Sequence, residues 1–236
     1  MIERHPFLSN GHFYPRRLLA SRGLPLTGLE SCCVWCWTGG LFIALLLLAA
    51  CATAPPRNVS NACAIFAEYD DWYPDAQAAS RRWGVPIPVL LAIVRQESAF
   101  EADAQPPRTR ILWIIPGPRP SSAYGYSQAL DGTWEQYIRT TGNHGADRDE
   151  FVDAMDFVGW YVDRTWRRNG IAKSDAYRQY LAYHEGQAGY ARGSYRSKPW
   201  LMERAQQVSR QANRYRAQLS RCQQRLESAD GSWWPF

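Results

Sequence analysis

The chain has 236 residues, of which 46% are hydrophobic, 21% charged and 14% aromatic, and these proportions are typical of a globular protein. They exclude a disordered, a collagenous or a multi-span membrane protein. The 27 Lys and Arg side chains are scattered among 22 Asp and Glu, so the net charge of +5 argues against a nucleic-acid binder.

The N-terminal segment differs from the rest of the chain. Residues 41–50 are all apolar, and basic residues precede them. This order predicts a secretory signal peptide over residues 1–50, because a membrane-spanning helix needs about 20 apolar residues. The stretch before the apolar core is longer than the usual charged start, which suggests that the N-terminus is over-extended and that the true start lies downstream.

The apolar run ends in the sequence LAAC at Cys51, which resembles the lipobox of bacterial lipoproteins. In such proteins the signal peptide is removed before a cysteine that carries diacylglycerol. On this interpretation Cys51 is lipidated, and residues 51–61 are a tether without packed structure. Ala52, which is not acidic, resembles the residue that permits sorting to the outer membrane. We therefore expect a periplasmic protein anchored to that membrane; an ordinary signal peptide followed by a chance cysteine is the alternative.

Apolar residues at three- and four-residue steps predict a first amphipathic helix from about residue 62, with a pause at Pro74 and an end near Gly84. A second, more apolar helix is expected over residues 88–98, where a proline fits the first turn. Residues 101–122 contain five prolines and predict a loop that could hold one short strand.

Four more helices are expected in the C-terminal half. Asp149 is the predicted cap of one of them and Gly170 its stop, while Cys222 falls on the apolar stripe of the last. No series of strands is found, so the predicted class is all-α, with a single domain over residues 62–227 and a tail over 228–236. The four helices cover residues 132–141, 149–169, 174–185 and 200–226.

Cys63 and Cys222 are the two cysteines that remain after removal of the signal peptide and lipidation of Cys51. Two thiols in an oxidising compartment predict one disulfide, which would close a loop of about 160 residues. Two separate buried thiols are the alternative.

Glu97 is the strongest candidate for chemistry. It follows Leu90 by seven residues and Ile93 by four, so it lies on the face of the second helix that otherwise points to the core. Burial without a cationic partner would raise its pKa, as a general acid working near neutral pH requires. The alternative is that Glu97 emerges into solvent near the helix end.

Three segments in order resemble the motifs of the soluble lytic transglycosylases, which cleave the glycan strands of bacterial peptidoglycan. Residues 95–100 read RQESAF, residues 125–128 read GYSQ and residues 182–186 read AYHEG. The family versions are RQESxF, GLMQ and AYNxG. The chain departs from them at Tyr126, Ser127 and His184, and it looks closest to a lipoprotein branch with AYGYxQ and AYHEG motifs.

The resemblance implies a lysozyme-like α-helical fold of the goose-type class, with peptidoglycan glycan strands as partner. It implies a lyase that cuts the MurNAc-GlcNAc β-1,4 bond and leaves 1,6-anhydroMurNAc ends, with Glu97 as the single acid and base and with no cofactor or metal. One alternative is a muramidase of the same fold that uses water. Another is a peptidoglycan-binding lipoprotein whose catalysis has lapsed. The resemblance does not identify which cell-envelope machinery, if any, recruits the protein.

By resemblance, Tyr183 hydrogen-bonds near the Glu97 carboxyl or the sugar acetamido group, and Gln128 contacts the glycan. The alternatives are a packed ring for Tyr183 and a surface amide for Gln128. Glu185 is expected to shape the site, although direct catalysis with water is an open alternative. A metal site at His184 and Glu185 is disfavoured, because no third ligand accompanies them. The full set of predicted substrate-binding residues is Ser98, Tyr124, Tyr126, Gln128, Tyr183, His184 and Glu185.

Several further aromatic residues could stack on sugar faces. Tyr190 joins Tyr124 and Tyr126 in this group. For Trp134 and Trp160 packing between helices is the favoured interpretation.

Overall fold

The computed structural model describes residues 53–111 and 115–230. The predicted signal peptide, Cys51, Ala52 and residues 231–236 lie outside these ranges. The described part contains seven α-helices and one very short antiparallel strand pair, which confirms the all-α class. None of the described helices combines the length and apolar character that crossing a bilayer requires.

The helices follow one another with short connections, except for the long loop after the third. The elements are α1 (Ala62–Glu68), α2 (Trp72–Trp83), α3 (Ile87–Ser98), β1 (Arg110–Ile111), β2 (Ile115–Pro116), α4 (Asp131–Thr141), α5 (Phe151–Asn169), α6 (Ala176–Ala191), a 3₁₀ helix (Ser194–Ser197) and α7 (Pro199–Asp230). In the strand pair Ile111 lies opposite Ile115.

Helix α3 is the centre of the domain. Residues 89–94 are each 1% exposed or less, so the helix is apolar on all sides, as a fully buried helix must be. It packs against α2, α5, α6 and α7. Because its neighbours surround it, the end of α3 that carries Glu97 has a fixed position.

An aromatic cluster holds the loops around that end of α3. The Trp72 ring stacks on Phe151 with centroids 3.9 Å apart, and Phe100 stacks on Trp72 at 5.8 Å. Tyr126 meets both Trp72 and Phe151 edge-on. The cluster therefore joins α2 and α5 to the turn after α3 and to the loop of the second motif.

The predicted disulfide is present. Cys63 in α1 is bonded to Cys222 in α7, with the two sulfurs 2.06 Å apart. Near it, the Ala62 N–H donates to Gln218 Oε1 at 2.9 Å, and the Tyr215 hydroxyl donates to the Val59 carbonyl. The first of these contacts fastens α1 to α7. The second involves residue 59 of the predicted tether, and Arg95 Nε also donates to the Val59 carbonyl, at 3.1 Å. The expectation of a tether without packed structure is therefore wrong for its described part, where Val59 packs against the core.

Two predictions about helix boundaries are wrong. The predicted first helix is two helices, and the break falls at residues 69–71 and not at Pro74. Pro74 lies in the first turn of α2, where the missing N–H would have no partner within the helix. Asp149 is not a cap: α5 begins after Glu150, and the Asp149 carboxylate accepts a hydrogen bond from Tyr124. The stop at Gly170 is confirmed, with φ 68°.

Two more boundaries lie farther along the chain than predicted. Helix α6 continues past residue 185 to Ala191, through a kink at Gly186, whose φ of 71° and ψ of 155° favour glycine. Helix α7 continues to Asp230, so residues 228–230 belong to it and not to a tail.

Candidate functional site

Glu97 lies in the last turn of α3, partly buried against α6 and α7. Burial raises the pKa of its carboxyl from 4.5 to about 7. A hydrogen bond from Tyr180 and the positive charge of Arg204 oppose that rise and do not overcome it. A carboxyl with this pKa is protonated in a large fraction of molecules at neutral pH, so it can donate a proton there.

The turn after Glu97 carries backbone strain. Ala99 and Phe100 have φ of 53° and 66°, in the left-handed region that residues with a Cβ rarely adopt. The Ser98 hydroxyl accepts from the Phe100 N–H at 3.1 Å and donates to the Val94 carbonyl at 3.3 Å. Ser98 is buried and its hydroxyl is used in these two bonds, so it fixes the turn that carries Glu97, and the expectation that it binds the substrate is wrong for this structure.

The loop of the second motif lies beside this turn. Gly125 has a φ of 76°, and a Cβ there would lie 2.1 Å from the Arg148 carbonyl oxygen, so only glycine fits. The Gln128 amide Nε2 donates to the carbonyls of Ala104 and Gly125 at 2.8 and 2.9 Å. Gln128 also has a positive φ of 51°. Its amide nitrogen therefore holds the loop, and Oε1 is the atom left to meet a ligand.

Tyr183 connects the second and third motifs. Its hydroxyl donates to the Ser127 carbonyl at 2.7 Å, and its ring meets Tyr161 edge-on at 4.8 Å. Burial, and next the negative charge of Glu97, raise the pKa of Tyr183 well above its usual value. Tyr183 thus lies near the Glu97 carboxyl, as predicted, but its hydrogen bond goes to the loop. The structure brings all three motifs together at Glu97.

Tyr180 and Arg204 are site residues that the sequence reasoning missed. Tyr180 is buried, and burial followed by the charge of Glu97 raises its pKa. It precedes Tyr183 by three residues, which places both rings on one face of α6. That spacing was a usable signal for Tyr180. Arg204 comes from α7, and its position depends on tertiary packing alone.

Glu185 has a different environment, and its side chain is only 4% exposed. Its carboxylate accepts from Lys198 Nζ at 2.7 Å, from the Ser194 hydroxyl, and lies 3.1 Å from His184 Nδ1. Burial disfavours the anion, but these bonds outweigh burial and lower the pKa of Glu185 to about 2. Glu185 therefore stays anionic, and it fastens α6 to the 3₁₀ helix and to the start of α7.

The predicted sugar-stacking residues divide into two groups. Tyr126 is 1% exposed within the aromatic cluster, so the expectation that it contacts the glycan is wrong for this structure. Trp134 and Trp160 are buried between helices, the arrangement that the sequence favoured. Tyr124 and Tyr190 are partly exposed: Tyr124 donates to Asp149 Oδ2 at 2.8 Å, and Tyr190 stacks on Tyr195 at 5.2 Å.

Two further features bear on the chemistry of the site. Within residues 53–111 and 115–230, no group of three or more His, Cys, Asp or Glu side chains is placed to hold a metal ion. A surface cavity of about 330 Å³ is lined by Pro86, Ile87 and Leu219 among others, and it contains none of the motif residues. The candidate site is therefore the acid Glu97 with its tyrosines, and this cavity is separate from it.

The chain is similar to a known protein family. A family model described as "Transglycosylase SLT domain" matches residues 40–222, which is well over half of the chain and includes all three motifs. No curated protein matches the chain significantly.

Proposed function

The chain belongs to the transglycosylase SLT domain family, and from that premise we propose that it is a peptidoglycan lytic transglycosylase with Glu97 as its single general acid and base. One observation carries the proposal. Glu97 lies where the three motifs meet, and burial holds the pKa of its carboxyl at about 7. The substrate class, the glycan strand of peptidoglycan, comes from the family.

In the first step the protonated Glu97 carboxyl gives its proton to the glycosidic oxygen of the MurNAc-GlcNAc bond. The bond from the MurNAc anomeric carbon to that oxygen breaks, and GlcNAc leaves with a new hydroxyl. The 2-acetamido group of MurNAc stabilises the cationic centre, as in substrate-assisted glycosidases, so no second carboxylate nucleophile is needed.

In the second step the Glu97 carboxylate removes the proton from the MurNAc 6-hydroxyl. The oxygen attacks the anomeric carbon and closes the 1,6-anhydro ring, and Glu97 is protonated again for the next cycle. No water is consumed. One group serves both as acid and as base because its pKa lies close to neutral pH.

The water-using muramidase needs a second group to activate water. Glu185 is the other carboxylate in the three motifs. Lys198 and Ser194 already donate to its oxygens, and its pKa of about 2 makes it a weak base. These contacts favour the anhydro product.

The test is mass spectrometry of soluble fragments released from purified peptidoglycan by the full chain. Anhydromuramyl products are expected from the wild type, and Glu97→Gln should lower their rate of release by at least about a thousandfold, since it removes both proton transfers. Glu101→Gln, at an exposed glutamate just after the strained turn, is the matched control. It should release the same products as the wild type.

Other results would select the alternatives. Products with reducing ends would establish a muramidase. Sedimentation with peptidoglycan but no release of fragments would establish the binding lipoprotein. Undiminished release by Glu97→Gln would refute the role of Glu97.

We also propose that the domain is held at the outer membrane by a lipid on Cys51, outside the described residues. The support is the sequence LAAC, which ends at Cys51, and the non-acidic residue Ala52 that follows it. Labelled palmitate should be incorporated into the wild type and not into Cys51→Ser. Equal labelling of both proteins would refute the anchor.

A further inference from the structure

Trp200 is an exposed aromatic residue that packing does not explain. Its surface is 53% exposed, the largest exposed fraction among the large apolar side chains of the described residues. Trp166, 46% exposed, has a partner, because Lys173 Nζ lies 4.6 Å above its ring. Trp200 meets only an edge-on neighbour in the aromatic contacts of the described chain, the His184 ring at 5.2 Å and 77°.

Two routes place Trp200 next to the Glu97 site. Through α6, its neighbour His184 belongs to the third motif and directly follows Tyr183, whose hydroxyl donates to the Ser127 carbonyl of the second motif at 2.7 Å. Through α7, Trp200 precedes Arg204 by four residues, so both lie on one face of the helix, about 6 Å apart along its axis. Arg204 is the cation whose charge acts on Glu97 and Tyr180.

The position of Trp200 is fixed before any ligand binds. It is the second residue of the 32-residue helix α7, after Pro199. The preceding residue, Lys198, donates to the Glu185 carboxylate at 2.7 Å, and the following residue, Leu201, is fully buried. A side chain on a rigid helix start loses less conformational entropy on binding than one on a loop.

The free surface of the indole suits a sugar ring. A T-shaped contact covers at most one face of an aromatic ring, so one indole face stays open. The free energy falls when an apolar surface displaces water from that face. Pyranose rings present C–H groups on their faces and hydroxyls at their edges, so they can cover an indole face and keep their hydroxyls solvated.

We propose that Trp200 forms a sugar-stacking subsite beside Glu97, in which the open face of the indole binds one pyranose ring of the glycan strand. This inference rests on the proposed function and extends it with a binding residue outside the three motifs. His184 supports the indole from the side, and Glu185 positions the helix start through Lys198. Trp200 makes no contact with the reacting bond, so it acts on binding and not on proton transfer.

The experiment compares Trp200→Ala, Trp200→Phe and Trp166→Ala with the wild type on soluble glycan strands stripped of their peptides. Trp200→Ala should raise KM about tenfold, which corresponds to about 1.4 kcal/mol, and leave kcat within about twofold. Trp200→Phe should recover most of the loss because it keeps an aromatic face. Trp166→Ala removes an indole of similar exposure, 46% against 53%, and should match the wild type. Thermal unfolding of each variant checks that the fold is kept.

A second measurement separates this inference from the proposed function. In the Glu97→Gln background, the added substitutions Trp200→Ala and Trp166→Ala are compared for sedimentation with purified peptidoglycan. Weaker sedimentation of the Trp200 variant alone supports the subsite even if the wild type released no anhydro product, an outcome that would refute the proposed function alone. Equal KM values and equal sedimentation of the two tryptophan variants would overturn the subsite.

Discussion

Glu97 and Glu185 are two glutamates in the motifs of one site, and their surroundings give them opposite properties. Glu97 accepts a hydrogen bond from Tyr180 and lies near Tyr183, and the positive charge of Arg204 acts on it without a salt bridge. Glu185 accepts hydrogen bonds from an ammonium and a hydroxyl and lies beside an imidazole. The pKa of Glu97 is raised to about 7, and that of Glu185 is lowered to about 2.

The difference shows that burial alone does not decide what a carboxyl does. Burial acts against the anion at both positions, and the donors around each carboxylate determine the net result. At Glu185 the hydrogen bonds from Lys198 and Ser194 and the contact with His184 outweigh burial, and the carboxylate becomes part of the scaffold. At Glu97 burial prevails, and the carboxyl can exchange a proton near neutral pH. The two groups should therefore respond in opposite directions when their charge is removed.

The first prediction concerns the loss of the Glu185 anion. Glu185→Gln should lower the free energy of unfolding at pH 7 by about 2 kcal/mol, because it weakens hydrogen bonds from Lys198 and Ser194 to a charged acceptor. The folded pKa lies below the ordinary 4.5, so this stabilisation is complete above pH 4.5 and is lost as the pH falls toward about 2. Urea unfolding at pH 7 and at pH 3 measures the difference, which should be smaller at pH 3.

Activity provides the control for this prediction. Once the folded fraction is accounted for, Glu185→Gln should retain kcat within about tenfold, with the larger effect on KM through displacement of Trp200. A thousandfold loss of kcat in a variant of unchanged stability would instead make Glu185 a catalytic group.

The second prediction has the opposite sign. Glu97→Gln should raise the free energy of unfolding by about 1 to 2 kcal/mol at pH 8, because the wild type must then bury an anion that the amide replaces with a neutral group. The folded pKa of about 7 lies above the ordinary 4.5, so the destabilisation in the wild type is absent below pH 4.5 and grows up to about pH 7. Thermal unfolding of both proteins at pH 4 and pH 8 measures it.

The dependence on pH makes this result specific to Glu97. A stabilisation that was equal at pH 4 and pH 8 would come from packing and not from the charge. A destabilisation at pH 8 would show that the Glu97 anion has a stabilising partner, which would contradict its raised pKa.

Periodicity predicted most helices of the fold but not all their ends. The apolar run of α3 and the stripe of α7 were sufficient, because burial on a fixed face leaves a clear pattern. The break at residues 69–71 was missed because Trp72 and Tyr73 continue the apolar spacing although they belong to the next helix. The end of α6 was misplaced because a kink at Gly186 looks like a stop in sequence.

The sequence identified Glu97 as the acid, while tertiary packing determined which side chains lie near its carboxyl group. Glu97 was found from its apolar face, and Tyr183 from resemblance to the family. Tyr126 was misassigned because a tyrosine beside a motif gives no sign of whether its ring points to the core. Arg204 and Trp200 were missed because α7 comes about a hundred residues after Glu97, and no local pattern links them.

The third prediction, the smallest effect, concerns Arg204. Its charge favours the Glu97 anion, so Arg204→Gln should raise the pKa of Glu97 further above the wild-type value of about 7. Because catalysis begins with the protonated carboxyl, the alkaline limb of kcat/KM should move to higher pH. Measurement of kcat/KM from pH 5 to pH 9 shows the shift.

Salt and a second arginine test whether the effect of Arg204 is electrostatic. Arg204 is exposed, so its influence should shrink at 1 M salt, where charges are screened within about 3 Å, and the profiles of wild type and Arg204→Gln should converge there. Arg210→Gln removes another exposed charge of α7, six residues farther along, and should leave the profile in place. A shift to lower pH in Arg204→Gln, or an equal shift in Arg210→Gln, would show that no specific charge on α7 acts on Glu97. A shift confined to Arg204 and removed by salt would mean that α7, which carries Trp200 for binding, also sets the pH at which the acid works.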